Sequence, residues 1–296
     1  MRRISPVDLM LLGTVLLWAL NVTVTKYVLD HGFHPLAYAV IRYGAATALF
    51  IGFTYLREGS FRIARADLKL VFLAALLIYL NQLCFVYGVD DSSASIAALL
   101  LGTTPIWVAV VATTIGFERL QRSFWAAAGL SIFGVALVAT GSGGLGGKSL
   151  GFSLALLTAI TWACYSMTIA PLLRRYSPFR ISSIVLALGW LPLALTGAPQ
   201  TIHQSFHFNT LTWVGFAYAV IGPLFLTNLL WFTAIDRVGP SRASLFSNLQ
   251  PFFGVVFALI LLGEGLDVWE VLGGLLIFSG IVLERVRRRP MQPIGD

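Results

Sequence analysis

Polar side chains recur at helical spacing inside the long apolar runs of this 296-residue chain. Their chemistry is hydrogen bonding and ring stacking, not bond making. Trp18, Asn21 and Thr25 stand at i, i+3 and i+7, so they share one helix face. Tyr79 and Gln82 repeat the i, i+3 spacing, and Trp162, Tyr165 and Ser166 follow it closely. Thr227, Asn228 and Trp231 come next, then Ser244, Ser247 and Asn248. Several of these sit near the centres of their runs, at similar depth. Together they would make a neutral cavity with aromatic walls and hydrogen-bonding amides and hydroxyls, suited to a small amphipathic solute. Each taken singly also has a plainer role: Asn, Ser and Thr join helices, while Trp and Tyr fill cores or sit at interfaces.

Arg42 is the charge set well inside a run, about 10 Å from its start at 1.5 Å per residue. It could attract a carboxylate, or it could pair structurally with Asp30, Asp90, Asp91 or helix-end carbonyls. Lys26 lies nearer the end of its run and can extend to the interface as a structural residue. Glu118 and Glu264 stand at run ends, where they would cap or pair helices or mark gates. Pro105 and Pro251 interrupt two runs at mid-length, each removing a backbone hydrogen bond and kinking the helix. Thr103, Thr104 and Gln250 flank those breaks, where the two helices are expected to bend.

The 13 acidic residues lie at run ends, in connections or in tails, and His31, His34, His203 and His207 lie in or beside connections. Proton-coupled pumps keep a carboxylate or histidine near mid-depth. Its lack here leads us to expect gradient-driven movement without tight proton coupling. The same lack removes the Ser-His pair or His/Asp/Glu set that an intramembrane enzyme needs. No catalytic, metal-ligating or cofactor-binding set is read from the sequence.

The elements that must position these residues follow from composition. Hydrophobic residues make up 57% and charged residues 11%, and the mean hydropathy is +0.83. Soluble domains carry roughly 25% charged residues. A water-facing surface cannot be covered with less than half of that. Runs of some twenty apolar residues each suffice to cross a ~30 Å hydrocarbon core. The fold class expected is an all-α polytopic membrane protein with the lipid bilayer as its partner. Ten spans are read, at 7–28, 35–56, 68–88, 93–115, 123–141, 151–173, 179–197, 211–235, 241–262 and 268–286.

Alternate connections are basic, and 17 of the 20 Lys and Arg residues fall on one side of this arrangement. The positive-inside rule puts that side, with both termini, in the cytoplasm. The opposite connections (DHGFH, VDDSS, the glycine stretch, APQTIHQSFHFN and GEGLD) are poor in Lys and Arg. Topology thus accounts for the net charge of +7, with no nucleic-acid partner expected. Met1-Arg2-Arg3 before the first run resembles a signal-peptide start, but no small-x-small cleavage site precedes Lys26, so a retained first helix is expected. Cys84 and Cys164 fall inside apolar runs and suggest no disulfide framework.

A shift of 146 residues superposes the end of the first half on the end of the second. Asp90 falls on Asp236, Ser95 on Ser241, Ala97 on Ala243, Pro105 on Pro251, Glu118 on Glu264 and Gly134 on Gly280. Trp18-Ala19 meets Trp162-Ala163 at a shift of 144. The units are five spans each, and because five is odd the second enters the membrane from the opposite side. Inverted repeats of this kind characterise secondary transporters, whose substrate site lies near the midplane between the repeats.

The residues Trp18-x-x-Asn21…Lys26, Pro35, Arg42, then Ser95-Ile96-Ala97…Pro105…Glu118 and Ser241-Arg242-Ala243…Pro251…Glu264 resemble the drug/metabolite transporter (DMT) superfamily, EamA type. Within it the chain is similar to YddG-like amino-acid exporters. The resemblance implies ten-helix exporters of the bacterial inner membrane, with two inverted five-helix repeats forming the EamA/DMT basket. Spans 1–4 and 6–9 would surround a central cavity, with spans 5 and 10 packed at the back. Gly129, Gly134, Gly273, Gly274 and Gly280 suit close backbone approach there. The domains expected are 1–141 and 151–286, joined by a Gly-rich external linker at 142–150 and followed by a basic tail at 287–296.

The linker reads GSGGLGGKS, close to the phosphate-binding G-x-x-x-x-G-K-[ST] pattern. That pattern works after a β-strand in a soluble α/β unit. Here it joins two membrane spans on the side away from the cytoplasm, so nucleotide binding is not expected. The reading is a small-molecule exporter of amino acids, aromatic and hydrophobic ones included, with Trp18, Asn21, Tyr79, Gln82, Trp162, Tyr165, Asn228, Ser244 and Asn248 as substrate-binding residues. Arg42, Pro105, Pro251, Glu118 and Glu264 would gate or supply charge. An importer or channel for another small metabolite or drug in the same fold, and a non-transporting scaffold or sensor, are the alternatives. A monomer is sufficient for the mechanism.

Overall fold

Pro35 and Pro178 open two of the long helices, where a missing N–H costs nothing because the first turn offers it no acceptor. Ser93, Ser177 and Asn209 cap three helices, their side-chain oxygens accepting from Ile96 N, Arg180 N and Thr212 N. Gly59, with φ of 60°, ends another in the left-handed conformation that glycine adopts without strain. In the computed structural model, which describes residues 6–116, 122–141, 149–227, 230, 231, 234, 246 and 249–287, these signals yield eleven α-helices. They are α1 (Pro6–Asp30), α2 (Pro35–Glu58), α3 (Leu68–Asp90), α4 (Ala94–Leu101), α5 (Thr104–Thr114), α6 (Arg122–Gly141), α7 (Ser149–Leu173), α8 (Pro178–Ile202), α9 (Thr210–Val220), α10 (Gln250–Leu262) and α11 (Val268–Arg287). A π-turn, Ile221–Leu226, continues α9. No strand occurs among the described residues.

Among the described residues, six helical segments are long and apolar enough to cross a membrane, and four shorter apolar ones fall within the remaining expected spans. The fourth span is the α4–α5 pair. The kink expected at Pro105 is a full break three residues earlier, at Gly102-Thr103. Pro105 cannot donate to Leu101 O, so the hydroxyl of Thr104 does so at 2.6 Å, and that of Thr103 serves Leu100 O at 2.6 Å. The seventh span runs five residues past its expected end because Ala198-Pro199-Gln200-Thr201-Ile202 remain helical.

Helices pack in a pattern that maps onto itself when span n is exchanged for span n+5. α3 meets α7, and its counterpart α9 meets α1; α3 meets α8, and α9 meets α2; α1 meets α10, and α7 meets α4 and α5. Three pairs are their own counterparts: α2 with α8, α4 with α10, and α6 with α11. The self-paired helices run antiparallel. Ser131 Oγ donates to Ile277 O at 3.3 Å, Gly134 packs on Gly273, and Val138 also reaches Gly273, so numbering falls on one helix as it rises on the other. Two halves related in this way are inverted with respect to the membrane plane.

α6 and α11 pack chiefly on each other, outside the ring of the remaining helices. Lipid tails are as apolar as leucine, so helix pairs in a membrane rely on close van der Waals fit. A Cβ on Gly134 would lie 2.6 Å from Gly273 O, and one on Gly273 would lie 2.5 Å from Gly134 O. Gly129 differs from expectation: nothing lies within 4 Å of its Cβ position, so it plays no part in that contact. Gly102 packs on Pro251, its Cβ position 2.6 Å from the ring, so the break in the fourth span faces the first turn of α10.

Candidate functional site

Arg42 lies seven residues into α2, and the turn below it places Tyr38 on the same face. The guanidinium is 2% exposed. Its Nη2 donates to Gln82 Oε1 on α3 at 2.7 Å. Nη1 is 3.4 Å from both Asn21 Oδ1 on α1 and the Tyr38 hydroxyl. The rings of Tyr38, Phe85 and Tyr43 stand 4.8, 5.3 and 5.5 Å from Cζ. Nε is buried with no partner among the described residues. The expected pairing of Arg42 with Asp30, Asp90 or Asp91 does not occur. Asp30 pairs with Lys26 at 3.1 Å, Lys26 Nζ also donates to Asp90 O at 2.8 Å, and Asp91 accepts from Gly151 N at 3.0 Å.

This arrangement stabilises the cation without neutralising it. An arginine at a helix centre costs about 2.5–3.5 kcal/mol on insertion scales. Charge-assisted hydrogen bonds return about 1.5–3 kcal/mol each, and a desolvated ring face about 2. Those partners are neutral, so the charge is held by hydrogen bonds and ring faces without being neutralised by them.

A chain of amides extends from Arg42 to the second half. Gln82 Nε2 donates to Asn81 Oδ1 at 3.0 Å. Asn81 Nδ2 donates to Thr158 O at 2.9 Å and to Thr161 Oγ1 at 3.1 Å, both on α7. On the α1 face expected from the sequence, Trp18, Asn21 and Thr25 each meet a different partner. Trp18 Nε1 donates to Thr227 Oγ1 at 3.1 Å, and its ring lies 5.2 Å from that of Trp231. Thr25 Oγ1 is 3.0 Å from the Tyr38 hydroxyl.

The structure therefore brings Asn21, Arg42 and Gln82 together, with Trp18 one turn away. Tyr79 and Tyr165 pack half-buried against the main core, and Trp162 is 38% exposed with its ring 5.4 Å from Tyr165. None of these three hydrogen-bonds to the Arg42 cluster. Asn228, Ser244, Ser247, Asn248 and Glu118 lie outside the described residues. Glu264 accepts from Ala94 N at 2.7 Å, Ser95 N at 2.9 Å and Ser95 Oγ at 2.6 Å. The second half thus caps the first turn of α4, where a carboxylate is favoured. Two cluster members, Tyr38 and Asn81, were not singled out by sequence. The signals were there: Tyr38 is four residues before Arg42, and Asn81-Gln82 puts adjacent amides inside an apolar run.

Around the cluster the connections on the arginine-poor side are tied together. Gln204 Oε1 accepts from His34 N at 2.7 Å and Gln200 Oε1 from Leu36 N at 2.7 Å. Phe33 stacks on Phe208 at 4.7 Å and on Phe216 at 5.5 Å. On the arginine-rich side Glu58 pairs with Arg180 at 2.9 Å, and Asp67 with Arg175 at 2.6 Å.

The chain is similar to proteins whose printed names describe transport. It is 27% identical over 293 residues to a probable amino-acid metabolite efflux pump of Salmonella typhimurium, covering 93% of this chain and 94% of that one. A protein of the same description from Escherichia coli is 26% identical, with 91% of each covered. An uncharacterized transporter of Archaeoglobus fulgidus is 27% identical, covering 93% and 97%. One solved crystal structure superposes with a TM-score of 0.65 over 96% of this chain and 99% of its own, at 16% identity, and so shares the fold. The sequence pattern of the EamA-like transporter family matches twice, over residues 5–140 and 149–284. With that domain in tandem across an all-helical, apolar chain, the protein belongs to the EamA-like transporter family of the drug/metabolite transporter superfamily.

Proposed function

We propose that this transporter exports small amphipathic metabolites, amino acids in particular, by alternating access between its two inverted halves. The observation that carries this reading is Arg42, buried among neutral amides and rings with no carboxylate partner among the described residues. A substrate carboxylate supplies the missing anion, and Trp18, Trp231 and the nearby amides receive the rest of the molecule. Both halves must contribute, because the amide chain from Gln82 ends on α7 and Trp18 bonds to Thr227. Arg42 is 2% exposed, so substrate reaches it after the halves rearrange. The names of the Salmonella typhimurium and Escherichia coli relatives agree with this direction and cargo.

The positive-inside rule places the arginine-rich side in the cytoplasm of a bacterial inner membrane. With acidic groups confined to span ends and connections, transport follows the substrate gradient. The test is efflux from proteoliposomes loaded with labelled amino acids, alongside their amides and decarboxylated amines. Amino acids should leave faster than carboxylate-free analogues of the same side chain. Equal rates for acid and amide would refute Arg42 as the anion site.

A further inference from the structure

Two apolar grooves open on the lipid-facing surface, and they differ at their mouths. One, of about 470 Å³, lies between α2 and α9 and is lined by Ala45, Ala48, Leu49, Phe216, Val220 and neighbours, none of them charged. The other, of about 340 Å³, is lined by Ile51 and Phe61 on one wall and by Ser183, Ile184, Ala187 and Leu188 of α8 on the other. A water occupies about 30 Å³ of liquid, so either groove has room for a chain of several methylenes. The second groove leads to the arginine-rich side. On α8, Arg180 stands at i to the groove residues at i+3, i+4, i+7 and i+8, and so heads the same stripe. From Arg180 to Leu188 that stripe runs about 12 Å into the membrane at 1.5 Å per residue.

Cations gather on this side of the protein. Arg180 is neutralised by Glu58. Arg57, Arg62 and Arg65 are exposed, and none has a carboxylate partner among the described residues. Arg62 follows Phe61, which lines the groove, so their Cα atoms are about 3.8 Å apart. Arg57 adjoins Glu58 but holds its guanidinium 5.5 Å from the Phe53 ring, which packs on Phe179 and Phe225, away from the groove wall. An apolar slot that ends beside the unpaired Arg62 matches a molecule with an acyl chain and an anionic phosphate head.

We infer that the α2–α8 groove binds an anionic phospholipid of the leaflet on the arginine-rich side. One acyl chain lies between Ile51 and Ala187, and the headgroup phosphate rests against Arg62, next to Phe61 of the groove wall. The α2–α9 groove takes acyl chains without selecting a headgroup, because none of its lining residues is charged. This inference does not depend on what the protein transports.

The experiment is native mass spectrometry of the full-length protein in neutral detergent, mixed with phosphatidylglycerol, phosphatidylcholine or glycerol 3-phosphate, with melting temperature measured in parallel. Phosphatidylglycerol should be retained in preference to phosphatidylcholine. Each arginine contributes ~1 kcal/mol near a lipid surface, or about fivefold. Arg62→Gln should therefore reduce the preference roughly fivefold, whereas Arg57→Gln should leave it unchanged. Both change exposed side chains only, which keeps the test decisive if a groove variant fails to fold. Ala187→Trp should abolish retention, whereas Ala48→Trp in the other groove should leave the headgroup preference intact. Equal retention of both lipids would overturn the proposal, as would equal protection by glycerol 3-phosphate. So would a stable dimer that excludes lipid.

Discussion

α2 and α8 begin alike, each with a proline at its first residue, and the eighth residue of each is fully inside the protein. In α2 that residue is Arg42, 2% exposed; in α8 it is Val185, 0% exposed. The backbone positions correspond across the repeat, yet one holds a cation and the other an aliphatic side chain. Arg42 is surrounded by Asn21, Tyr38, Gln82 and three rings, while Val185 belongs to the main apolar core. Duplication supplies two halves that can pack on each other in inverted fashion. It does not require two binding sites. On the proposed function, an anion-attracting Arg42 in one half would make a nearly symmetric scaffold chemically directional.

The severest way to break this comparison is to install the same charge in the other half. Val185→Arg would place a cation within the main apolar core, at a cost of about 2.5–3.5 kcal/mol or more. Loss of folded protein in a melting assay is expected; a well-folded variant would mean that the two positions are not equivalent in burial. Removing the charge from the first half is the next largest effect. At matched folded protein, Arg42→Gln should slow amino-acid efflux on the order of a hundredfold, reflecting about 3 kcal/mol for a buried charged contact. Arg42→Lys keeps the charge but not the planar fork, and so should retain intermediate activity, with the acid-over-amide preference preserved.

The contact between halves at the back of the fold sharpens the comparison further. Gly134→Ala places a methyl 2.6 Å from Gly273 O and should cost about 1–3 kcal/mol by overpacking. Gly129→Ala meets open space and should be neutral or stabilising by up to about 1 kcal/mol. The difference in melting temperature between the two variants is the measurement. The smallest effect expected is at the α4 cap. Glu264→Gln keeps an acceptor for the α4 amides but loses its charge at the helix N-terminus, about 0.3–1 kcal/mol. A fall in melting temperature of a few degrees at most is expected, without loss of the acid-over-amide preference.

Much of the architecture was readable without coordinates. Run length and loop charge are local properties, so the ten spans and the charge asymmetry could be counted directly. The repeat was legible because Ser95, Pro105 and Glu264 recur with their partners at one offset. The site was legible only in part. Trp18, Asn21 and Thr25 do share a face, as 3.6-residue periodicity requires, but the sequence did not say that they would find Thr227, Arg42 and Tyr38. Periodicity also favoured Tyr79 over its neighbour Asn81, although Asn81 is the residue that reaches α7. For Pro105, composition identified the disturbed helix, while the place of the break depended on Gly102 packing against Pro251.

The sequence by itself determined that this chain crosses a membrane repeatedly, in two units of opposite sense, with arginine gathered on one side. Hydrophobic length and flanking charge are enough for that, since each span must satisfy its own backbone hydrogen bonds in lipid. Only the tertiary structure decided that Arg42 has neutral company and no counter-ion. Its neighbours come from α1 and α3, and the amide chain beyond them ends 77–80 residues away on α7. Side-chain partnership at such separations follows from how the helices pack, which no single span encodes.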